Sequence, residues 1–206
     1  IQKKIITPGE IKNHKFTIDT NGYGFLVARI FSVLMDDKSY DLKYVLAILN
    51  SNVVKFFLRN TAPLKQGGYF SYTSKFLNDV PIPQIDQLES KKLCDKVDTL
   101  IKLNDSLNDK KQKLRNRLIT NFHIKLTKKL KNFHQLDFSE FLNELTKQKI
   151  SCTLKEQDEW EEYFTEYKNH IIKLENESKK LDNEIDNIVY DIYQITVDER
   201  NIIEKS

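Results

Sequence analysis

The chain has 206 residues, of which 39% are hydrophobic and 31% are charged, and its formal net charge is +3 at pH 7. No stretch approaches the roughly 18 consecutive apolar residues of a membrane span, and no secretory signal is visible. Cys94 and Cys152 form no CxxC motif, which argues against a zinc site and a disulfide framework and favours a reducing, cytoplasmic location.

Residues 1–85 are predicted to form a small mixed α/β lobe. Runs of β-branched and aromatic residues bounded by Gly, Pro and Asp predict three short strands, at residues 3–6, 15–18 and 25–35. Arg29 would lie in the middle of the third strand and project from a sheet face. From Asp41, apolar residues recur at steps of three and four, which predicts one amphipathic helix that ends near Asn60.

The stretch KQGGYFSYTSKFLNDVPIP, residues 65–83, joins this lobe to a helical second half. Gly67 and Gly68 permit positive φ or a close approach of the backbone to another surface. The aromatic run after them predicts a strand. Pro81 and Pro83 predict an extended segment that no helix can cross.

This stretch and the end of the preceding helix supply phosphate donors, an approachable backbone, amphipathic rings and an amide suited to an adenine edge. The candidate DNA-binding residues are Arg59, Asn60, Lys65, Gln66, Gly67, Gly68, Tyr69, Tyr72 and Lys75. The alternative is an ordinary hairpin in which Tyr69, Phe70 and Tyr72 pack into the lobe.

Residues 86–206 are predicted to be helical, because acceptors followed three residues later by Glu form capping boxes. These are Asp86/Glu89, Asp137/Glu140, Thr153/Glu156 and Thr196/Glu199. They predict helices at residues 87–131, 138–148, 154–194 and 197–204. A break in the first of them near residues 121–123 is an alternative.

Two of these helices carry heptads. The seam from Leu93 to Leu118 is apolar at six of eight positions, and the seam from Tyr167 to Ile192 at seven of eight. This spacing predicts an antiparallel intramolecular coiled coil, because the short helix between them lets the chain turn back. The predicted fold class is therefore α+β, with a recognition lobe followed by a long helical coiled-coil arm.

The two sides of this coiled coil carry opposite charge. Residues 91–135 have 13 Lys and Arg against 4 Asp and Glu, whereas residues 136–206 have 9 against 18. The basic helix, especially residues 110–117, is compatible with nucleic-acid binding. We favour the alternative that its charges solvate the coiled coil and complement the acidic partner. The polar seam positions Asn104 and Ser178 would fix the register.

No motif for catalysis, cofactor binding or metal binding is evident. The sequence has no GxGxxG, phosphate-loop or GxSxG pattern. The four histidines lack metal-ligand spacing, so we expect surface or capping roles for them. The ExK triplets at residues 10–12 and 166–168 are too common by chance to indicate a nuclease. Because these motifs are absent, we expect the chain to be non-catalytic by itself, and because its first residue is Ile, we expect it to be a piece of a longer protein.

Several segments resemble one family: YVLAILNS at residues 44–51, GGYFSYTSKFLNDVPIP at 67–83, DEWEEYF at 158–164 and IVYDIYQITVDERNIIE at 188–204. They are similar to the C-terminal target-recognition region of type IIG restriction–modification enzymes, which are adenine-specific DNA methyltransferases with a TaqI-like specificity domain. The arrangement is also similar to half of a type I restriction specificity subunit.

The resemblance implies that double-stranded DNA is the partner. The lobe would read the target, while methyltransferase and endonuclease domains upstream in the parent chain would modify a flipped adenine and cleave. S-adenosylmethionine and Mg²⁺ are expected in the parent protein and no cofactor in this piece. Two alternatives remain open: a structural module whose coiled coil docks catalytic domains, and a fragment that is itself an enzyme.

Overall fold

The computed structural model describes residues 3–20, 29–34 and 40–205. The chain forms two compact units: Ile1–Thr99 with Asp182–Ser206, here called the sheet unit, and Leu100–Leu181, the helical unit. The predicted α+β class is confirmed, since small antiparallel sheets combine with helices, the two longest of which pack together. The boundary between residues 1–85 and 86–206 stays a prediction.

One three-stranded antiparallel sheet lies near the start of the sheet unit, in the order β3-β1-β4. Its strands are β1 (Lys4–Pro8), β3 (Thr17–Asp19) and β4 (Ile30–Val33), and a short β2 (Glu10–Ile11) follows β1. Ile5 is fully buried opposite Ile18 and Val33. The first predicted strand is confirmed over residues 4–6, the second over residues 17–18 and the third over residues 30–33. Residues 21–28 and 35 of the predicted strands and their turns lie outside the described residues.

The prediction for Arg29 was wrong. It precedes β4 with a φ of 92°, in the left-handed region that a strand residue does not occupy. Its exposed guanidinium pairs with the Glu10 carboxylate at 3.3 Å, so it does not project from the middle of a strand.

The single helix predicted from Asp41 to Asn60 is two helices, α1 (Leu42–Asn50) and α2 (Asn52–Thr61). Ser51 is extended between them, and its Oγ donates to the Ile48 carbonyl at 2.7 Å and accepts from the Val54 amide at 3.3 Å. The Asp186 carboxylate accepts from both the backbone amide and the side chain of Asn52, at 2.8 and 2.7 Å. A serine that binds local backbone groups and a distant carboxylate together break the helix.

A second three-stranded sheet consists of β2, β5 (Leu64–Lys65) and β6 (Tyr69–Ser71), in the order β2-β6-β5. The predicted aromatic strand is thereby confirmed. The short α3 (Ser74–Asn78) follows and was not predicted. Residues 81–86 have no regular secondary structure, as the two prolines predict. This segment is held by the Tyr44 hydroxyl, which donates to the Pro83 carbonyl at 2.7 Å.

The helices of the second half are α4 (Gln87–Phe122), α5 (Lys128–Lys131), α6 (Phe138–Thr146), α7 (Leu154–Ile192) and α8 (Val197–Glu204), with a 3₁₀ turn at Phe133–Gln135. The predicted helix starts are confirmed. Asp137, Thr153 and Thr196 exchange hydrogen bonds with Glu140, Glu156 and Glu199. The predicted alternative of a break near residues 121–123 is confirmed, since α4 ends before His123, whose φ is 52°.

Helices α4 and α7 run antiparallel within each unit. In the helical unit, Lys111 pairs with Glu175 at 2.7 Å, and Ser178 donates to Asn104 at 3.5 Å, so the two predicted polar seam positions face each other. In the sheet unit, Lys96 pairs with Glu184 at 2.6 Å. In the described part of the chain, no helix is long and apolar enough to cross a membrane.

The core of the helical unit is rich in aromatic residues because α6 packs against the facing parts of α4 and α7. Its fully or nearly fully buried members include Leu114, Leu118, Leu130, Phe133, Phe141 and Phe164. The segment from α5 to α6 therefore belongs to this core and is not a loose connection.

Candidate nucleic-acid interface

Strands β5 and β6 form a hairpin that exposes a glycine turn. Lys65 pairs with Tyr69 across the hairpin, and the Gly68 amide donates to the Lys65 carbonyl at 3.3 Å. Gly67 and Gly68 have φ values of 79° and 78°, which confirms the predicted positive φ and is accessible to glycine at little cost. Residues 63–69 are all exposed. The turn is therefore open to a ligand on both its backbone and its side chains.

Strand β6 holds this hairpin on the sheet unit. It pairs with β2 on its other side, with Ile11 opposite Phe70, and the Tyr72 amide donates to the Gly9 carbonyl at 2.8 Å. A two-stranded hairpin alone is marginally stable in water, and a third strand supplies the missing support.

Tyr72 lies beneath the hairpin and is only 1% exposed. Its hydroxyl is 3.0 Å from His14 Nδ1, and His14 Nε2 is 2.6 Å from the Leu49 carbonyl oxygen. Because a carbonyl only accepts, Nε2 carries the proton and Nδ1 accepts from Tyr72. The side chain of Tyr72 is thus not presented to DNA. This placement corresponds to the packing alternative, in which Tyr72 joins the hairpin to the end of α1.

The pKa of His14 is lowered from 6.5 to about 4. Burial is the main cause, the hydrogen bond to the Leu49 carbonyl opposes it, and the charges of Lys55 and Arg59 contribute to the lowering. Burial also raises the pKa of Tyr72 to about 12. Both groups are therefore neutral near pH 7. The expectation of a surface or capping role was wrong for His14, and also for His134, which is buried in the helical unit. No local sequence signal indicates either burial, because the partners are distant in sequence.

Three cationic side chains lie at the hairpin. Lys65 belongs to β5, and the Arg59 guanidinium lies 5.6 Å from the centroid of the Phe70 ring on β6. The Lys12 side chain approaches Gly68, with Cε 4.0 Å from the position that a Cβ would occupy. We call these three residues, with Gln66, Gly67, Gly68 and Tyr69, the hairpin face. Sequence reasoning missed Lys12, because only the pairing of β2 with β6 brings it there.

Two predicted residues are engaged elsewhere. The Asn60 side chain donates to the Phe56 carbonyl of its own helix at 2.8 Å. The Lys75 ammonium lies 5.7 Å from the centroid of the neighbouring Phe76 ring on α3. Neither contact brings these residues to the hairpin face.

The hairpin face has the chemistry of a nucleic-acid surface and lacks that of a metal site. Cationic donors suit phosphate oxygens, an exposed amide suits a base edge, and Tyr69 is 44% exposed. Within residues 3–20, 29–34 and 40–205, no group of three or more His, Cys, Asp or Glu side chains could hold a metal ion.

Comparison with known families places this surface in a defined module. Residues 2–82 match the TaqI-like C-terminal specificity domain, and residues 86–189, just over half of the chain, match a domain of unknown function (DUF8810). The chain belongs to the DUF8810 family and begins with a TaqI-like specificity domain. No curated protein and no solved structure matches the chain significantly.

The specificity domain contains both sheets, helices α1 to α3 and the whole hairpin face. The chain therefore carries a DNA-recognition module of a restriction–modification enzyme, and DNA is its partner. The DUF8810 region covers α4 to α6 and most of α7.

Proposed function

We propose that this chain recognises the target sequence of a type IIG restriction–modification enzyme and positions the DNA for adenine methylation and cleavage by other domains of a parent chain. The observation that carries the proposal is the hairpin face, an exposed glycine turn with Lys12, Arg59 and Lys65 around it, inside a specificity domain. S-adenosylmethionine and Mg²⁺ would be bound by those other domains, in the cytoplasm.

The shape of the hairpin supports this role. The major groove of B-DNA admits a two-stranded β-ribbon, and a turn without Cβ atoms brings backbone amides close to phosphates or base edges. The cations would supply affinity through phosphate contacts, whereas the amide of Gln66 would read an adenine edge. The target adenine would then be flipped into the active site of the methyltransferase domain.

The test is a fluorescence-anisotropy titration of the 206-residue chain against a randomised duplex pool, at about 50 and 200 mM salt. We expect salt-sensitive binding, and sequencing of the bound duplexes should show enrichment of one short motif. Salt-sensitive binding without enrichment would contradict sequence readout by this chain. Absence of binding at low salt would favour the structural alternative, in which the helices dock catalytic domains.

Removing two cations from the hairpin face should weaken binding to all duplexes. For Lys12→Gln/Lys65→Gln, the slope of log K against log salt should become shallower by about 2, with an affinity loss of about tenfold at 100 mM salt. The matched control is Lys91→Gln/Lys92→Gln, which removes the same charge from exposed positions on α4 in the sheet unit. Equal losses in both doubles would mean that only net charge matters and would rule out the hairpin face.

A change at Gln66 separates readout from affinity. Gln66→Ala should relax the preference at one adenine of the enriched motif by about 1–3 kcal/mol, because one bidentate amide contact carries that much discrimination. The salt dependence should stay that of the unchanged chain. An unaltered motif in the sequenced pool would remove Gln66 from the set of base-reading residues.

A further inference from the structure

The helical unit carries a second concentration of positive charge. Between Lys110 and Lys131 the sequence has nine Lys and Arg and no Asp or Glu. These residues lie on the second half of α4, on α5 and on the segment between them. Six of them are exposed: Lys113, Arg117, Lys125, Lys128, Lys129 and Lys131.

Pairing with the acidic helix neutralises only part of this charge. Lys111 pairs with Glu175, as the opposite charges of α4 and α7 predict. Among the described residues, no ion pair joins any of the six exposed cations to a carboxylate. The Arg117 guanidinium instead lies 4.8 Å from the centroid of the Tyr163 ring, which leaves its charge in place.

Two further cations are held by backbone carbonyls. Arg115 donates from Nε and Nη2 to the Lys131 carbonyl at 2.9 and 2.6 Å. Lys168 on α7 donates to the Leu136 carbonyl at 2.7 Å. A carbonyl satisfies the donors without cancelling the positive charge. We call Arg115, Lys128, Lys129, Lys131 and Lys168 the basic face.

This face is built on packed structure. Leu130 anchors α5 in the core with no exposure, and Thr127 caps α5 while its hydroxyl donates to the buried Glu144 at 3.0 Å. The two hydrogen bonds from Arg115 tie the end of α5 to α4. The three lysines therefore have fixed backbone positions, which reduces the entropy cost of binding a ligand.

The surrounding electrostatics are consistent with a positive site. The pKa of His134 is lowered first by burial and then by the charge of Lys111, with further contributions from Arg115 and Lys168, while Glu175 opposes the shift. His134 therefore stays neutral near pH 7, and the cations around it exceed the carboxylates that face it.

We propose that the basic face binds the sugar–phosphate backbone of duplex DNA, independently of base sequence and separately from the hairpin face. DNA is the polyanion that this chain meets, because the chain carries a DNA-recognition module. Lysine ammonium groups contact phosphates as point charges and do not select bases. The inference rests on the DNA-recognition role and not on the residues of the hairpin face.

The test is Lys128→Gln/Lys129→Gln/Lys131→Gln in the 206-residue chain, titrated by anisotropy against two duplexes of different sequence between about 50 and 200 mM salt. We expect the slope of log K against log salt to become shallower by about 2–3, with an affinity loss of at least about tenfold for both duplexes. The motif enriched from a random pool should not change.

The matched control is Lys173→Gln/Lys179→Gln/Lys180→Gln, which removes three exposed charges from α7 within the same unit. It should bind within about twofold of the unchanged chain. Replacing the three α5 lysines with arginine should preserve binding, which separates lost charge from misfolding. Fluorescence of Trp160, the one tryptophan in the sequence, reports the fold of the helical unit.

An unchanged slope in the α5 triple variant would overturn the proposal, as would equal losses in the α7 triple. Failure of the unchanged chain to bind duplex at low salt would overturn it too, whether or not the chain binds vesicles of anionic lipid. Unaltered motif enrichment and unaltered affinity in the hairpin variants, with the α5 effect intact, would contradict the hairpin face alone.

Discussion

Phe141→Ala is expected to lower the free energy of unfolding of the helical unit by about 3–5 kcal/mol, the range for truncating a fully buried phenylalanine. Phe141 has no exposure, and its ring centroid lies 4.9 Å from that of Phe164 and 6.2 Å from that of Trp160. Alanine would leave a cavity where α6 meets α7 and would remove these aromatic contacts. Urea unfolding followed by Trp160 fluorescence measures the effect.

Ile119→Ala is the matched control, because Ile119 is 43% exposed on α4 of the same unit. Ile119→Ala should lower the free energy of unfolding by less than about 1 kcal/mol, because folding removes little of the apolar surface of this side chain from water. A similar midpoint shift for the two variants would mean that α6 does not pack on α7 as described.

Stability should also fall as the pH is lowered from about 6.5 to about 4, because His14 is held neutral in the folded chain. In that interval the unfolded chain binds a proton at His14 and the folded chain does not, so acid favours unfolding. The contribution is fully present above pH 6.5 and is lost as the pH falls through about 4. The shift corresponds to about 3 kcal/mol, as an order of magnitude.

Comparison of the chain with its His14→Gln variant isolates this contribution. Other buried groups also contribute to the pH dependence. The pKa of His134 is lowered, mainly by burial, so His134 also reduces stability as the pH falls. The pKa values of Asp182 and Asp186 are raised, mainly by burial, so these two groups increase stability as the pH falls. The difference between the pH dependences of the chain and the variant should therefore carry the His14 effect.

The matched control is His170→Gln, at an exposed position on α7. Because exposed substitutions usually change stability by no more than about 0.5 kcal/mol, it should leave the urea midpoint at pH 7 nearly unchanged. A proton NMR titration should show the His14 ring uncharged down to about pH 4. An imidazole that titrates near 6.5 would show that the bonds to Tyr72 and Leu49 do not form.

Helix starts could be predicted from sequence because their signals are local. In the box at Thr196 and Glu199, the side chains and the backbone amides that they bind lie within four residues. The glycine turn was predictable for the same reason, since Gly67 and Gly68 determine which φ values the turn can adopt. The seam positions of Asn104 and Ser178 followed from heptad spacing, which repeats a local period along each helix, whereas their contact is a finding of the structure.

The break at Ser51 shows where such signals end. The apolar period runs without interruption through this residue, but Asn52 is held by Asp186, which is 134 residues away. Which of two segments so distant in sequence come into contact depends on the packing of the whole sheet unit. Periodicity carries no information about it.

The candidate binding surfaces also combine features that local sequence predicts with features that only the tertiary structure shows. Local residue chemistry was enough to indicate the glycine turn, the basic helix and the heptads, because each depends on neighbours within one or two helical turns. Only the tertiary structure buried Tyr72 against His14 and brought Lys12 to the hairpin. It also left the α5 lysines without an ion pair to a carboxylate among the described residues, because ion pairs depend on which segments pack together and not on net charge.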